Sequence, residues 1–255
     1  MIKKQIPNIF TLLNLLSGIL AVLMAVTDRL VEASFLVFLG IFFDFFDGFF
    51  ARKFHVEGDF GKQLDSLADM VTSGLVPGII MFQLILYASK GKYFMQISSE
   101  IGNWEGYAQT YFYFIPMIGL IIPLASAYRL AKFNIDERQS SSFIGLPTPA
   151  LSLFVVSLPL IIHYSNNPFI IELINNIYVL ISITILGSYL LNTELALFSL
   201  KFKNYSWKEN KTKFVFLVIS ILLLIFLKIV AIPLLIILYI ILSIIENMTK
   251  KNKTI

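Results

Sequence analysis

Long apolar segments separated by short polar connectors run through the whole chain. No alternation of polar and apolar residues with a period of two appears, and a sheet within a membrane must close into a barrel, so strands are not expected. Most segments approach the ~20 residues that a helix needs to cross a hydrocarbon core of about 30 Å. The segments span residues 9–26, 31–51, 64–88, 111–131, 149–162, 169–190, 214–229 and 231–245. The pattern therefore predicts an all-α polytopic membrane protein with about eight transmembrane helices.

The boundary between the last two segments is very short. Residues 229–233 hold a single proline, Pro233, and Lys228 precedes them. This stretch is compatible with a tight hairpin or with a kink in one long helix. We expect the first apolar segment to be a retained helix, because no small-residue cleavage site follows it.

The composition supports a membrane protein. Of 255 residues, 57% are hydrophobic and only 14% are charged, whereas soluble proteins carry about 25% charged residues. The mean hydropathy is +0.80. Cysteine is absent, which excludes disulfides and thiolate chemistry.

The distribution of basic residues predicts the orientation. With the N-terminus inside, only Arg29, Lys90, Lys92 and Lys228 of the 20 Lys and Arg residues fall on the outer side. Positive residues favour cytoplasmic loops, so both termini and the loop after the second helix are expected on the cytoplasmic face of the cell membrane. The net charge of +4 then favours contact with membrane lipids over nucleic acid.

Four aspartates flank the loop between the second and third segments. Asp44 and Asp47 end one segment, and Asp65 and Asp69 begin the next. Ionised carboxylates are costly where a chain enters hydrocarbon, so such residues usually mark a functional site. Residues three or four apart share one face of a helix. The spacing therefore predicts two acidic stripes that face each other at one level of the membrane.

The stripes have the chemistry of a metal and phosphate site. Acidic groups brought together repel, so either some of them are protonated or cations lie among them. Ligand sets made only of oxygen suit Mg²⁺, Mn²⁺ or Ca²⁺. Gly48, Ala51 and Gly61 lack bulk, and Arg52 offers a planar fork for phosphate oxygens. The alternative is an ion network with Arg52, Lys53 and Lys62 that only anchors the helix ends.

These residues carry a resemblance. Asp-x-x-Asp-Gly-x-x-Ala-Arg, eight residues, then Gly-x-x-x-Asp-x-x-x-Asp resembles the signature of the CDP-alcohol phosphotransferase family at every fixed position. The resemblance implies a six-helix core, a homodimer and a site on the cytoplasmic face. It also implies two divalent cations, Mg²⁺ or Mn²⁺, on Asp44, Asp47 and Asp65. Asp69 would complete the second metal site and act as the catalytic base. The CMP and diphosphate pocket would be lined by Gly48, Ala51, Arg52 and Gly61.

The domain organisation follows from this resemblance. The family core is expected over residues 1–190, followed by a basic cytoplasmic loop over 191–213. Two further transmembrane helices and a Lys-rich tail are expected over 214–255. These helices are expected to complete the bundle or a dimer contact.

Other stretches resemble the bacterial and archaeal phosphatidylserine synthases. They span residues 6–18, 60–69, 129–134 and 143–150. This resemblance implies transfer of a phosphatidyl group from CDP-diacylglycerol to L-serine, with release of CMP. Arg129 is then a candidate for the serine carboxylate, Asn134 for either charged group of serine, and Asn14 for cytidine.

Alternatives remain for these residues and for the reaction. Arg129 could instead help to set the membrane topology or contact a lipid headgroup. Asn14 could instead cap a helix or form a hydrogen bond between helices. The same chemistry could use glycerol 3-phosphate or inositol phosphate, with Arg129, Lys132 and Arg138 binding the second phosphate. A cation transporter is the alternative from another class, but its acidic residues should lie near mid-membrane.

Overall fold

The computed structural model describes residues 2–90, 114–136, 143–198 and 206–251. Ten α-helices within these ranges are numbered here in chain order: α1 Ile2–Val26, α2 Leu30–Phe54, α3 Asp59–Asp69, α4 Val76–Lys90, α5 Ile121–Ile135, α6 Thr148–Tyr164, α7 Pro168–Ile174, α8 Ile177–Asn192, α9 Trp207–Leu227 and α10 Ala231–Lys251. A π-helical turn, Met70–Leu75, joins α3 to α4, and 3₁₀ turns precede α5 and α10.

Helices α1 and α2 form an antiparallel pair with small residues between them. Ala21 and Ala25 of α1 and Ala33 of α2 are fully buried. Small side chains let helix backbones approach closely in a membrane, where lipid removes the usual hydrophobic drive for association. This pair brings the start of α1 beside the end of α2, where Asp44 and Asp47 lie.

The third span runs through α3, the π turn and α4, and is the most buried of the long apolar spans. The π turn was not predicted from the sequence. It begins directly after Asp69, and its residues Thr72, Ser73 and Gly74 are buried. A π turn changes the helical phase, so the faces of α3 and α4 that point to the core need not be in register.

The predicted spans are present among the described residues, with changed boundaries. The long apolar spans are Gln5–Val26, Leu30–Phe54, Asp59–Ser89 and Pro116–Ile135, and a further stretch, Asn210–Thr249, holds α9 and α10. The shorter α6 and the bent pair α7 and α8 complete the set. The fold class is therefore confirmed as an all-α polytopic membrane protein. The predicted start of the fourth segment, residue 111, lies outside the described residues.

The predicted sixth segment, residues 169–190, is broken into α7 and α8, which are bent by 62°. Asn175 ends α7, and the side chain of Asn176 accepts a hydrogen bond from the backbone N–H of Tyr178. Asparagine is a favourable N-cap, because its side-chain oxygen satisfies an N–H group in the first turn. The cap starts a new helix where the apolar pattern suggested continuity.

The last two helices form a hairpin and are not one kinked helix. Lys228 has φ 49° and ψ −121°, outside helical values. Phe216 of α9 and Tyr239 of α10 lie at similar separations from this turn, and their ring centroids are 5.9 Å apart. The two helices therefore return alongside each other.

A two-residue antiparallel pair joins two connectors at the end of the bundle that holds Asp44. Strand β1, Phe143–Ile144, pairs with β2, Ala196–Leu197. Strand β2 and the start of α9 both lie within residues 191–213, where the sequence predicted only a basic loop. Lys92, placed on the outer side by the charge argument, and Arg138, a candidate for a second phosphate, lie outside the described residues.

Candidate active site

Three of the four predicted aspartates meet between α2 and α3. Asp44 and Asp47 come from the last turns of α2, and Asp65 comes from α3. Carboxylate oxygens of all three lie within 4.8 Å of one another. The two acidic stripes therefore face each other, as the helical spacing predicted.

The surroundings of these three carboxylates fit a cation. Thr11 of α1 donates a hydrogen bond from Oγ1 to Oδ2 of Asp47 at 2.7 Å, whereas Oδ1 of Asp65 is buried with no hydrogen-bond partner. Buried carboxylates repel one another, and a buried oxygen without a partner is costly. Ligand sets of carboxylate oxygens match hard divalent ions such as Mg²⁺ and Mn²⁺.

The alternative of a purely structural ion network finds no support. Arg52, Lys53, Lys62 and all four aspartates belong to the described residues, and no ion pair joins these cations to the aspartates. The ion pairs found, Arg29 with Glu32 and Lys132 with Glu194, involve other residues. Among the described residues, no cation of the chain is therefore paired with the acidic cluster.

Asp69 falls outside the group of oxygens within 4.8 Å, although its carboxylate interacts electrostatically with those of Asp44 and Asp65. It is the last residue of α3 and is buried. The side-chain amide of Asn14 donates a hydrogen bond from Nδ2 to Oδ1 of Asp69 at 3.2 Å. Asp69 is thereby held by α1, while the metal role predicted for it stays a prediction.

Asn14 is itself held by a tightly packed contact between three helical segments. Thr72 of the π turn donates a hydrogen bond from Oγ1 to the backbone carbonyl of Asn14 at 3.0 Å. A Cβ atom at Gly18 would lie 2.3 Å from Oγ1 of Thr72, and one at Gly40 would lie 2.6 Å from Cγ2 of Thr72. Only glycine fits at these two positions. The structure therefore gives Asn14 the interhelical hydrogen bond that the sequence left open as an alternative to cytidine binding.

A cavity of about 560 Å³ opens beside the carboxylates. Every residue predicted for the CMP and diphosphate pocket lines it, namely Gly48, Ala51, Arg52 and Gly61. Asp47 and Asp65 line it as well. The guanidinium of Arg52 lies over Gly48, with Nη1 3.3 Å from the point where a Cβ would stand, so the absence of a side chain at Gly48 leaves room for this cation beside the cavity.

Helix α1 supplies cavity residues to which the sequence assigned no site role. Pro7, Asn8 and Thr11 line the cavity, and Phe133 of α5 closes another side. Asn8, Thr11 and Asn14 recur every third residue, so they share one face of α1. This periodicity was the signal that could have placed Asn8 and Thr11 at the site.

Arg129 is a buried cation on α5. Its Nη1 donates a hydrogen bond to Oγ1 of Thr148 at 2.9 Å, and its Cζ lies 5.7 Å from the ring centroid of Phe133. Its Nε is buried with no hydrogen-bond partner. An arginine with an unused N–H donor suits a planar anionic group such as a carboxylate. The sequence made Arg129 a candidate for the serine carboxylate.

Asn134 joins α5 to α3. Its Nδ2 donates to Oγ of Ser66 at 2.9 Å, and its backbone carbonyl accepts from Nζ of Lys62 at 2.7 Å. It does not contribute to the lining of the 560 Å³ cavity, which its neighbour Phe133 reaches. Its predicted contact with serine stays a prediction.

Sequence comparisons agree with this geometry. The family model described as CDP-alcohol phosphatidyltransferase matches residues 4–187. CDP-diacylglycerol–serine O-phosphatidyltransferase of Bacillus subtilis is 30% identical over 174 residues, which cover 67% of this chain and 81% of that protein.

Two further relatives match over less of their length. Archaetidylserine synthase of Methanothermobacter thermautotrophicus is 29% identical over 164 residues, 63% of this chain and 60% of that protein. CDP-diacylglycerol–serine O-phosphatidyltransferase of Helicobacter pylori strain J99 is 31% identical over 152 residues, 59% of this chain and 55% of that protein. This chain thus spans less than two thirds of each of these two relatives. Because the family model covers most of the chain and the motif residues meet in one site, the protein belongs to the CDP-alcohol phosphatidyltransferase family.

Proposed function

We propose that this protein transfers the phosphatidyl group of CDP-diacylglycerol to the hydroxyl of L-serine, giving phosphatidylserine and CMP. The observation that carries the proposal is the group of carboxylate oxygens of Asp44, Asp47 and Asp65 within 4.8 Å, beside a cavity lined by Gly48 and Arg52. The names of the Bacillus and Helicobacter relatives support serine as the acceptor.

The cavity is suited to the nucleotide diphosphate. Gly48, Ala51 and Gly61 leave room for a ligand against the helix backbones, and Arg52 supplies a guanidinium that matches phosphate oxygens. A cavity of about 560 Å³ is within the range of pockets that bind small molecules. We assign the CMP and diphosphate part of the donor to this cavity.

Asp44, Asp47, Asp65 and Asp69 are the residues that would hold two divalent cations, Mg²⁺ or Mn²⁺. The oxygen-only donor set and the unpaired Oδ1 of Asp65 support this assignment. Such cations, when bound, neutralise the diphosphate and stabilise CMP as a leaving group. The hydrogen bond from Thr11 fixes the orientation of the Asp47 carboxylate for that purpose.

The reaction requires little beyond positioning and a base. The serine hydroxyl oxygen forms a bond to the phosphorus that carries diacylglycerol, and the bond from that phosphorus to the CMP oxygen breaks. The hydroxyl proton passes to Asp69, whose position is set by Asn14. The electron pair of the broken bond leaves with CMP, so a phosphodiester and a nucleotide are the products.

Arg129 is the residue we assign to the carboxylate of serine. It is buried and interacts electrostatically with Asp69, with Nη1 on Thr148 and Nε without a hydrogen-bond partner. An acceptor with its own phosphate would call for further cations here. Lys132, the next cation on α5, is paired with Glu194 at 3.1 Å, which favours serine over glycerol 3-phosphate or inositol phosphate.

We further propose that the site faces the cytoplasm, that the membrane is the cell membrane and that the protein is a homodimer, as the family resemblance implies. The charge distribution supports the orientation, because Arg29 and Lys228 lie at turns at the opposite end of the bundle from Asp44.

Radiolabelled serine tests the proposed function. Purified protein with CDP-diacylglycerol and Mn²⁺ should convert the label into a lipid that migrates as phosphatidylserine, and omission of CDP-diacylglycerol should prevent the conversion. Label that remains water-soluble while CMP is still released would contradict serine as the acceptor.

A further inference from the structure

Residues 191–198, which we term the α8 exit segment, lie close to the buried arginine of α5. Leu191, Asn192 and Thr193 of this segment line a small cavity together with Arg129, Lys132 and Ile144. The segment begins after residue 187, where the match to the family model ends. A part of the chain outside the family model therefore lies beside the arginine that we assign to the acceptor.

Backbone hydrogen bonds tie the exit segment to the connector that leads into α6. Strand β1 pairs with β2, and the backbone N–H of Gly145 donates to the carbonyl of Leu195 at 2.9 Å. Gly145 has φ +74°, and a Cβ there would lie 2.4 Å from the carbonyl oxygen of Leu191. The connector continues to Thr148, whose Oγ1 accepts the hydrogen bond from Arg129. Arg129 is thus linked to the exit segment through Thr148 and the connector, and Lys132 on the same helix pairs with Glu194 of that segment.

The C-terminal hairpin holds the other side of the exit segment. Tyr239 of α10 donates a hydrogen bond from its hydroxyl to the carbonyl of Phe198 at 2.9 Å, and their ring centroids are 4.9 Å apart. Asn247, two turns further along α10, donates from Nδ2 to the carbonyl of Ala196. Both hydrogen bonds are accepted by backbone carbonyls in or next to β2. Among the described residues, β1 is the only strand that pairs with β2.

We propose that the C-terminal hairpin positions Arg129 for the acceptor, with Tyr239 and Asn247 as positioning residues that act through the α8 exit segment. The chain of contacts runs from α10 to β2, from β2 to β1 and Thr148, and from Thr148 to the guanidinium. This assigns the two helices outside the family core a part in acceptor binding. It rests on the proposed role of Arg129 in binding the acceptor carboxylate.

The test compares steady-state kinetics of full-length variants for both substrates. Tyr239→Phe removes one hydroxyl without loss of ring volume, and Asn247→Leu removes the amide. The double variant should raise the serine KM roughly three- to ten-fold, the scale of one or two hydrogen bonds. The KM for CDP-diacylglycerol and kcat at saturating serine should stay near their original values, because Asp44, Asp47 and Asp65 lie away from the hairpin.

Ser243→Ala is the matched control. Ser243 is buried on α10 one turn from Tyr239, and its Oγ donates to the carbonyl of Tyr239 within the same helix. It makes no contact with the exit segment among the hydrogen bonds of the described residues. Its serine KM should therefore match that of the unmodified protein.

The outcomes separate this inference from the proposed function. An unchanged serine KM in a double variant with an unchanged melting temperature would overturn the positioning role, as would equal losses for both substrates. If the double variant does not fold, the two single variants are judged by the same criterion. If the unmodified protein releases CMP only with another acceptor, the proposed function fails, and the same KM comparison with that acceptor decides the role of the hairpin.

Discussion

Asn14 of α1 and Asp69 of α3 are joined by a hydrogen bond of 3.2 Å in the buried part of the site. The bond fixes the carboxylate proposed to take the proton from the acceptor. The backbone carbonyl of Asn14 in turn accepts a hydrogen bond from Thr72, which lies in the π turn that follows α3. The position of the base therefore depends on how closely α1, α2 and the π turn pack.

Gly40→Ala tests this dependence. The added Cβ would lie 2.6 Å from Cγ2 of Thr72 and 2.9 Å from Oδ1 of Asn14, so we expect destabilisation of about 1–3 kcal/mol, as for other overpacked cores, together with a lower kcat. Combination with Thr72→Ser should restore part of both losses, because serine lacks the clashing methyl group and keeps the hydroxyl. Thermal unfolding and CMP release measure the two effects. If Thr72→Ser deepens the defect, the contact is not the cause.

Asp69→Asn should abolish turnover while leaving binding of the CDP-lipid measurable. The amide retains the shape of the side chain but does not accept the proton, and general bases contribute roughly 10²- to 10⁴-fold to rate. CMP release and calorimetric binding of CDP-diacylglycerol provide the two readouts. Asp28→Asn, in the turn between α1 and α2 at the opposite end of the bundle, is the control. Full turnover by purified Asp69→Asn protein would rule out the base.

Thr11→Val should weaken metal binding without removing any metal ligand. The Thr11 hydroxyl orients Asp47 through a 2.7 Å hydrogen bond, and loss of such supporting bonds typically costs 10- to 100-fold in affinity, so about ten-fold weaker Mn²⁺ binding is expected. Electron paramagnetic resonance of Mn²⁺ titrations measures the change. Thr27→Val is the matched control, because Thr27 bonds only to backbone carbonyls of α1 at the other end of that helix. Equal Mn²⁺ affinity in the two variants would show that Thr11 does not contribute to metal binding.

Arg129→Lys should raise the serine KM more than the KM for CDP-diacylglycerol. A lysine ammonium lacks the planar fork that serves Thr148 and a carboxylate together. Arg29→Lys provides the comparison, since Arg29 lies in the turn between α1 and α2 at the opposite end of the bundle and pairs with Glu32, and it should leave the serine KM unchanged. Equal effects of Arg129→Lys on both substrates would argue against the carboxylate contact.

Much of the site followed from the sequence because helical spacing is a local property. Asp44 and Asp47 three residues apart, and Asp65 at the start of the next helix, were enough to predict opposed stripes across a short connector. The eight apolar segments could also be predicted from local sequence, because each exceeds or approaches the length that a helix needs to cross the lipid. The same helical spacing identified small residues that line the cavity, such as Gly48.

The features that the sequence missed depend on contacts between distant segments. The π turn after Asp69 coincides with the close approach of Thr72 to Gly18 and Gly40, which no local pattern reveals. The pairing of Phe143 with Leu197 joins residues far apart in the chain. The hydrogen bond between Asn14 and Asp69 likewise spans three helical segments of chain. Such contacts form only when the bundle packs.

The most direct test of the proposed function offers the purified protein a choice of acceptors. With CDP-diacylglycerol and Mn²⁺ present, CMP release is measured with serine, glycerol 3-phosphate or inositol phosphate as the only acceptor. Because Arg129 is the one cation assigned to the acceptor and Lys132 is paired with Glu194, release is expected with serine and not with either phosphate. Release of CMP only with a phosphate-bearing acceptor would contradict the assignment of serine.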